Sequence, residues 1–514
     1  MRIGVDVGGT NTDAVLMDGR QVIASHKAPT SANVSDGIIA AVDAVLQSSQ
    51  VAPAQIQSVM VGTTHFTNAF VERRGLLEVA VLRLALPATR GLPPMIDWPS
   101  DIAAVIGAHH YLVKGGYEFD GRRISELDEA AVAKAARDMR KKGIQALAIS
   151  CVFSPVNSEM EERAAEIVGK EAPDLIVTLS SRIGKIGLLE RENAAIMNAS
   201  LAALSSTFVN SFRRALAELK IGAPFYISQN DGTLMSADFV EGHPVLTFAS
   251  GPTNSMRGAA YLSGLKDALV VDIGGTTTDI GMLVNGFPRE SSVSVDIGGV
   301  RTNFRMPDIL AIGLGGGSIV KQNGSVTVGP QSVGYRLTEK AHVFGGDTLT
   351  ATDIAVAAGY ASVGDPGGVA QIPSELVDAA VVEIHTIVNV GVDRMKTRAD
   401  PIPVVLVGGG SILIRDDIPG TSTVVVPEHA AVANAIGASI AQVGGEIDKV
   451  YFYDAVGRDA AVEDAKKEAK KVAVTAGAEE STLEIIDFEE VPLSYVPGGA
   501  VRLRAKAAGQ LRGE

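Results

Sequence analysis

One eight-position pattern occurs twice in this chain, as DVGGTNTD over Asp6–Asp13 and as DIGGTTTD over Asp272–Asp279. Each copy follows a short apolar run and precedes another, so each reads as a strand, a glycine turn and a second strand. Glycine lacks a Cβ, so such a turn can lie close against an anion, and its free N–H groups make a concave anion site. The threonine hydroxyls add donors for phosphate oxygens. The aspartate ending the first strand, Asp6 or Asp272, is of the type that holds Mg²⁺, usually through water. The closing aspartate, Asp13 or Asp279, can orient water or brace the loop. A single Gly-Gly hairpin is common and constrains little. Two matched copies, each opening a β-rich half, predict an internal duplication. Two like domains would then present their loops across a cleft, with the phosphates of a nucleotide between them.

The rest of the chain is organised around these loops. A turn at Asp18-Gly19 and another at Asn285-Gly286 extend each copy into a hairpin. Ile38, Ile39, Val42, Val45 and Leu46 have helical spacing and predict a helix over 35–47. A helix over 125–142 is expected, with Ser125 as N-cap and Asp128 as its N3 acid. Strand and helix signals alternate through the first half, and 188–219 reads as helix-rich. From Glu446 onward a charged helix lies between strand-like runs, which suggests a small α+β appendage with a solvated helix. The expected division is 1–187, 188–445 with an inserted subdomain, and 446–514.

Composition excludes several classes. The 45 Lys and Arg against 59 Asp and Glu leave a net charge of −14 with no long basic block, which disfavours nucleic acid as a partner. No apolar run is long enough to span a membrane, and MRIGVDVGG has no signal-peptide core. With the single cysteine, Cys151, inside the apolar run ALAISCVFS, a reducing cytoplasmic setting and a buried, inert thiol are expected.

Further glycine runs carry weaker signals. VLVGGGSIL (Gly408, Gly409, Gly410, Ser411) follows a strand and would let a base and ribose lie against backbone. IGLGGGSIV (Gly315, Gly316) competes for that role, and VDIGGVRTN breaks the pattern after Gly299 and reads as a turn near the cleft. His65 in GTTHFTN is a candidate donor to substrate, with packing as the alternative. His342 near Asp347 is a second candidate of that kind. Adjacent strand residues such as His109 and His110 point apart, which argues against a metal pair. Glu190, Arg191 and Glu192 suit hinge support better than catalysis.

In order along the chain, GTTHFTNAFVERRG, RENAAIMNASL, ASGPTNSMRGAAYL, DIGGTTTDIG, DILAIGLGGGSIV, VGPQSVG and VGGGSI resemble the hydantoinase A/5-oxoprolinase family, within the actin–hexokinase–Hsp70-like ATPase superfamily. The resemblance covers roughly residues 1–442. It implies an α/β fold of two ribonuclease-H-like domains around a cleft, plus the small C-terminal α+β segment. It also implies ATP and Mg²⁺, and ATP-dependent hydrolysis of a small cyclic amide of the hydantoin, oxoproline or lactam type. Carried over by position, Asp6, Gly8, Gly9, Thr10, Asn11 and Thr12 form the first phosphate loop. Asp272, Gly274, Gly275, Thr276, Thr277 and Thr278 form the second. Asp6 and Asp272 would face the metal; Asp272, Asp279, Asp13 and His65 are the catalytic candidates; Gly408–Gly410 would touch the adenosine. A hydantoinase B-like partner subunit and a homo-oligomeric state are expected. The chain departs from the family at Val61 and Leu310, where the family often has histidine, and around EKAHVFGGD. Those departures keep open a nucleotide-driven activator or switch acting on a protein partner; a small-molecule kinase is a further alternative.

Overall fold

The computed structural model describes residues 1–8, 11–29, 34–291, 295–303, 306–415, 417–494 and 496–512. The first strands are β1 (Arg2–Val7), β2 (Asn11–Asp18) and β3 (Gln21–Pro29), an antiparallel meander, with β4 (Ser58–Thr63) parallel to β1 on its other side. β1 and β4 are almost wholly buried, as expected of central strands covered on both faces. Four parallel strands, β5 (Val79–Leu86), β6 (His109–Lys114), β7 (Ala146–Cys151) and β8 (Ile176–Leu179), form a separate inserted sheet in the order β6-β5-β7-β8. The chain then returns to the first sheet with β9 (Phe225–Ser228), parallel to β4, and β10 (Thr233–Ser236).

The second half repeats this plan. β11 (Ala268–Ile273), β12 (Thr278–Val284) and β13 (Phe287–Pro288) form a meander. Between β12 and β13, Asn285 and Gly286 both take positive φ, the two-residue turn that suits a twisted hairpin. After the small elements β14 (Val295–Ile297), β15 (Val300–Thr302), β16 (Ile309–Ile312), β17 (Ser318–Asn323) and β18 (Ser325–Ser332), the strands β19 (Ile402–Val407) and β20 (Thr421–Val425) complete the sheet. The strand orders β3-β2-β1-β4-β9 and β13-β12-β11-β19-β20 are the same arrangement, three antiparallel strands followed by two parallel ones. The duplication read from the two loops is thus a duplication of whole ribonuclease-H-like sheets.

Three expectations need correction. The segment from β21 (Gln442–Phe452) through β22 (Glu484–Pro492) and β23 (Ala500–Gly509) is not an appendage. Its strands extend the first sheet in the order β22-β23-β21-β10-β9. Its helix, Arg458–Thr475, is not merely solvated: Ala461, Ala465, Ala469 and Ala473 form a buried stripe against that sheet. The boundary at 187/188 also fails, because β9 and β10 belong to the first sheet. The crossings between halves are the helices Ser250–Ser263 and Ala433–Ser439. Their backbones nearly touch, since a Cβ at Gly258 would overlap the Ala433 carbonyl and one at Gly437 the Asn254 carbonyl. The helix predicted over 125–142 begins at Glu129, capped by Asp128, whose carboxylate accepts from Ala131 N–H at 3.0 Å. The Ser125 hydroxyl instead donates to the Leu86 carbonyl at 3.0 Å. The helix over 35–47 is present as Val34–Ser49.

Candidate functional site

The two hairpins share the same register and the same turn hydrogen bond where they are described. Asp6 pairs with Asp13 and Val7 with Thr12 across the first; Asp272 pairs with Asp279 and Ile273 with Thr278 across the second. Gly8 N–H donates to the Asn11 carbonyl at 3.0 Å, and Gly274 N–H to the Thr277 carbonyl at 2.9 Å. Gly9 and Thr10 lie outside the described residues. Each leading aspartate packs against a glycine at the end of the neighbouring parallel strand. A methyl on Gly62 would lie 2.5 Å from Asp6 Oδ1, and one on Gly408 would press directly on Asp272 Oδ1.

The hairpins face one another, and their electrostatics show it. Burial pushes the Asp6 carboxyl up to about 7, and the charges of Asp13 and of Asp272, from the other half, push in the same direction. Lys27 and a hydrogen bond from Asn434, 2.8 Å from its Nδ2 to Asp6 Oδ2, pull it back down. Burial raises Asp272, and Asp13 adds to the rise; a hydrogen bond with Ser255 and the Lys27 charge oppose it. Burial and the nearby Asp272 charge push Asp279 up to about 7. Asp13 is raised by burial, opposed by Lys27, whose Nζ lies 2.8 Å from Asp13 Oδ2 across β2 and β3. Four carboxyls thus share one place with the single ammonium of Lys27 acting on three of them. Asp6 and Asp13 are buried and Asp272 and Asp279 half-buried, and such an excess of negative charge suits a divalent cation. Among the described residues no group of three His, Cys, Asp or Glu is arranged as a metal cage.

The other predicted residues fall into distinct places. Thr12 and Thr278 are fully buried, and the Thr278 hydroxyl donates to the Leu314 carbonyl at 2.7 Å, so it braces the loop from behind. Thr276 and Thr277 remain accessible at the turn. Gly316 and Gly317 N–H groups donate to the Gly274 and Gly275 carbonyls at 3.0 and 2.8 Å, and Gly315 lies against Thr276 N. The Gly315–Gly317 run therefore backs the second hairpin. Gly410 N–H donates to the Ile273 carbonyl at 2.7 Å, while the neighbouring Gly409 is exposed with open space before it and Ser411 is half-buried.

His65 sits at the start of the helix His65–Val71 with its ring stacked on Phe208, centroids 5.7 Å apart, and burial lowers its pKa. His110 lies on β6 of the inserted sheet, where burial lowers its pKa, and His109 lies 3.4 Å from Glu78. Asp347 lies 3.9 Å from Lys340. Arg83 and Glu192 form a fully buried pair at 2.5 Å, and Ser150 also donates to Glu192, at 2.6 Å. Arg191 donates to Ser180 Oγ and the Cys151 carbonyl. These side chains tie the inserted sheet to the helix Leu188–Ser200. Cys151 is buried in β7, and burial raises its thiol pKa, so it is packing rather than a nucleophile.

Sequence reasoning missed Asn434, Asn254, Ser255 and Gly62. All but Gly62 lie on the two crossing helices, whose runs of small residues (SGPTNSMRGAA and ANAIGAS) were the available signal of close helix contact.

The comparisons agree with this architecture. The hydantoinase/oxoprolinase N-terminal region matches residues 2–172, and the hydantoinase/oxoprolinase family matches residues 191–402. The alpha subunit of caprolactamase from Pseudomonas jessenii is 27% identical over 491 residues, covering 85% of this chain and 69% of that one. The gamma subunit of acetophenone carboxylase from Aromatoleum aromaticum is 28% identical, covering 70% of this chain and 53% of its own length. In fold, the chain is similar to the crystal structure of the ATP-dependent caprolactamase from Pseudomonas jessenii, with a TM-score of 0.79 at 20% identity over 100% of this chain and 88% of that one. It is also similar to nucleotide-free acetone carboxylase, with a TM-score of 0.69 at 19% identity over 99% and 88%. Among the described residues no helix is long and apolar enough to cross a membrane. With two consecutive family matches spanning most of its length and twin ribonuclease-H-like sheets, this chain belongs to the hydantoinase/oxoprolinase family.

Proposed function

We propose that the chain is the ATP-using component of an enzyme that activates an amide or carbonyl oxygen, and that its substrate is a small cyclic amide which it opens by hydrolysis. The observation that carries this reading is the pair of matched carboxylate–glycine hairpins whose aspartates sense each other across the two halves. Relatives named as a caprolactamase subunit and as 5-oxoprolinases support the amide; relatives named as carboxylase subunits share the broader class.

In this reading Asp6 and Asp272 face Mg²⁺, and the backbone N–H groups around Gly275 and Thr276 face the phosphates. Bound ATP with Mg²⁺ supplies the phosphoryl group that makes an amide carbon electrophilic. The protein's own work is positioning and charge placement. Asn434 and Ser255 fix the carboxylates of Asp6 and Asp272, and Lys27 holds Asp13. Asp279, with its raised pKa, is placed to orient or take a proton from water. Gly409 offers a bare backbone surface suited to the adenosine. A hydantoinase B-like chain is the expected partner.

The test is ADP release with a panel of lactams, hydantoins and dihydropyrimidines, each with and without a hydantoinase B-like chain. A ring-opened amino acid formed in step with ADP is expected, and Asp272→Ala should abolish both. ADP release with no panel compound under any combination, or normal turnover by Asp272→Ala, would overturn the reading.

A further inference from the structure

Asn254 is fully buried in the helix Ser250–Ser263, yet neither its Nδ2 nor its Oδ1 has a hydrogen-bond partner among the described residues. A buried, unpaired side-chain amide is costly, and native chains rarely retain one without something to meet it. The same is true of Asp6 Oδ1: its sister oxygen accepts from Asn434, but Oδ1 has no partner. These orphaned atoms are neighbours. A single methyl placed on Gly62 would press on Asn254 Nδ2 and lie 2.5 Å from Asp6 Oδ1. The bare Cα of Gly62 therefore lets the first hairpin and the helix Ser250–Ser263 close together over β4. That helix leads into β11 and packs its apolar face, through Met256 and Ala259, on the second sheet. The next residue on that helix, Ser255, hydrogen-bonds Asp272 of the second hairpin. Two consecutive side chains thus reach one leading aspartate each.

We propose that Asn254 is a positioning residue of the cation site: its amide and the free oxygen of Asp6 hold between them a water of the hydrated cation, so that loading the cation and seating the two halves against each other become one event. The proposal rests on the Mg²⁺–nucleotide reading above. A water there would meet an acceptor on one side and an amide on the other, which satisfies the polar atoms that the protein alone leaves unpaired.

The experiment uses the full-length chain with Mn²⁺ as the probe, titrated with and without ADP and read by electron paramagnetic resonance. ADP affinity in EDTA is measured separately by calorimetry. Failure of the wild-type chain to bind Mn²⁺ with ADP would sink the cation reading itself and this proposal with it. Where the wild type binds, Asn254→Ala is expected to weaken Mn²⁺ in the ADP complex tenfold or more while ADP affinity in EDTA stays within twofold. Asn254→Gln, which keeps the side-chain amide and adds no charge, should retain more of the Mn²⁺ affinity than Asn254→Ala. Gly62→Ala, whose methyl would push the Asn254 amide and the Asp6 carboxylate aside, should reproduce the loss; if it fails to fold, the two Asn254 variants decide. A fall of less than threefold in Asn254→Ala overturns the proposal. So does an equal fall in Mn²⁺ and ADP affinity, which would mark Asn254 as packing only.

Discussion

Asp6→Asn should stabilise the nucleotide-free protein at neutral pH while destroying its function. Burial, with help from Asp13 and Asp272, raises the Asp6 carboxyl from 3.8 to about 7. A proton on Asp6 therefore favours the folded chain. That stabilisation is fully present below the ordinary value of 3.8 and is lost as the pH rises through about 7. At about 1.36 kcal/mol per unit, the whole shift corresponds to roughly 4 kcal/mol, of which about 3 kcal/mol is lost between pH 5 and pH 8. An amide at this position keeps the size of the side chain, and its oxygen can still accept from Asn434. Its NH₂ would replace the unpaired oxygen and bring no charge. Urea melts followed by circular dichroism at pH 5 and pH 8 measure the effect. The wild type should lose about 3 kcal/mol more than the variant over that interval, with the variant more stable at pH 8. In the same variant, Mg²⁺-dependent ATP turnover should disappear. Equal pH dependence in both proteins, or a variant less stable than wild type at pH 8, would refute the claim that the folded chain holds a strained, mutually repelling carboxyl set for a cation to relieve.

Gly437→Ala should cost at least the ~1–3 kcal/mol of ordinary overpacking, because the added methyl overlaps the Asn254 carbonyl on the facing helix. An unchanged urea midpoint would mean that the two crossing helices can part freely. Glu192→Ala removes one member of a fully buried pair and leaves Arg83 without its carboxylate. A loss of about 3–5 kcal/mol is expected. A loss under about 1 kcal/mol by the same melts would show that Arg83 finds another partner or water, and that this pair does not fasten the inserted sheet.

Much of the site was legible because its pieces are local. A glycine hairpin is encoded within eight consecutive residues, and the register that pairs Asp6 with Asp13 follows from the turn alone. Repetition of that hairpin identified the duplication, and the strand orders of the two sheets bear it out. The helix over 35–47 followed from spacing in the same way. The start of the next predicted helix was misplaced because Ser125 and Asp128 are both good caps, and only the tertiary contact of Ser125 with Leu86 decides between them. The polar partners of the aspartates were not legible. Asn434 meets Asp6 from the far end of the chain, and neither residue type nor spacing announces the meeting.

By itself, then, the sequence determined the two glycine hairpins, the acids at their ends and the kinship of the halves, because each depends on residues that are neighbours along the chain. Only the tertiary structure decided that the last strands complete the first sheet, that the Gly315–Gly317 run supports a hairpin from behind, and that two crossing helices grip the carboxylates. Those outcomes depend on which remote backbones can approach one another. Such approach is set by side chains that are missing, at Gly62, Gly258 and Gly437, as much as by those that are present.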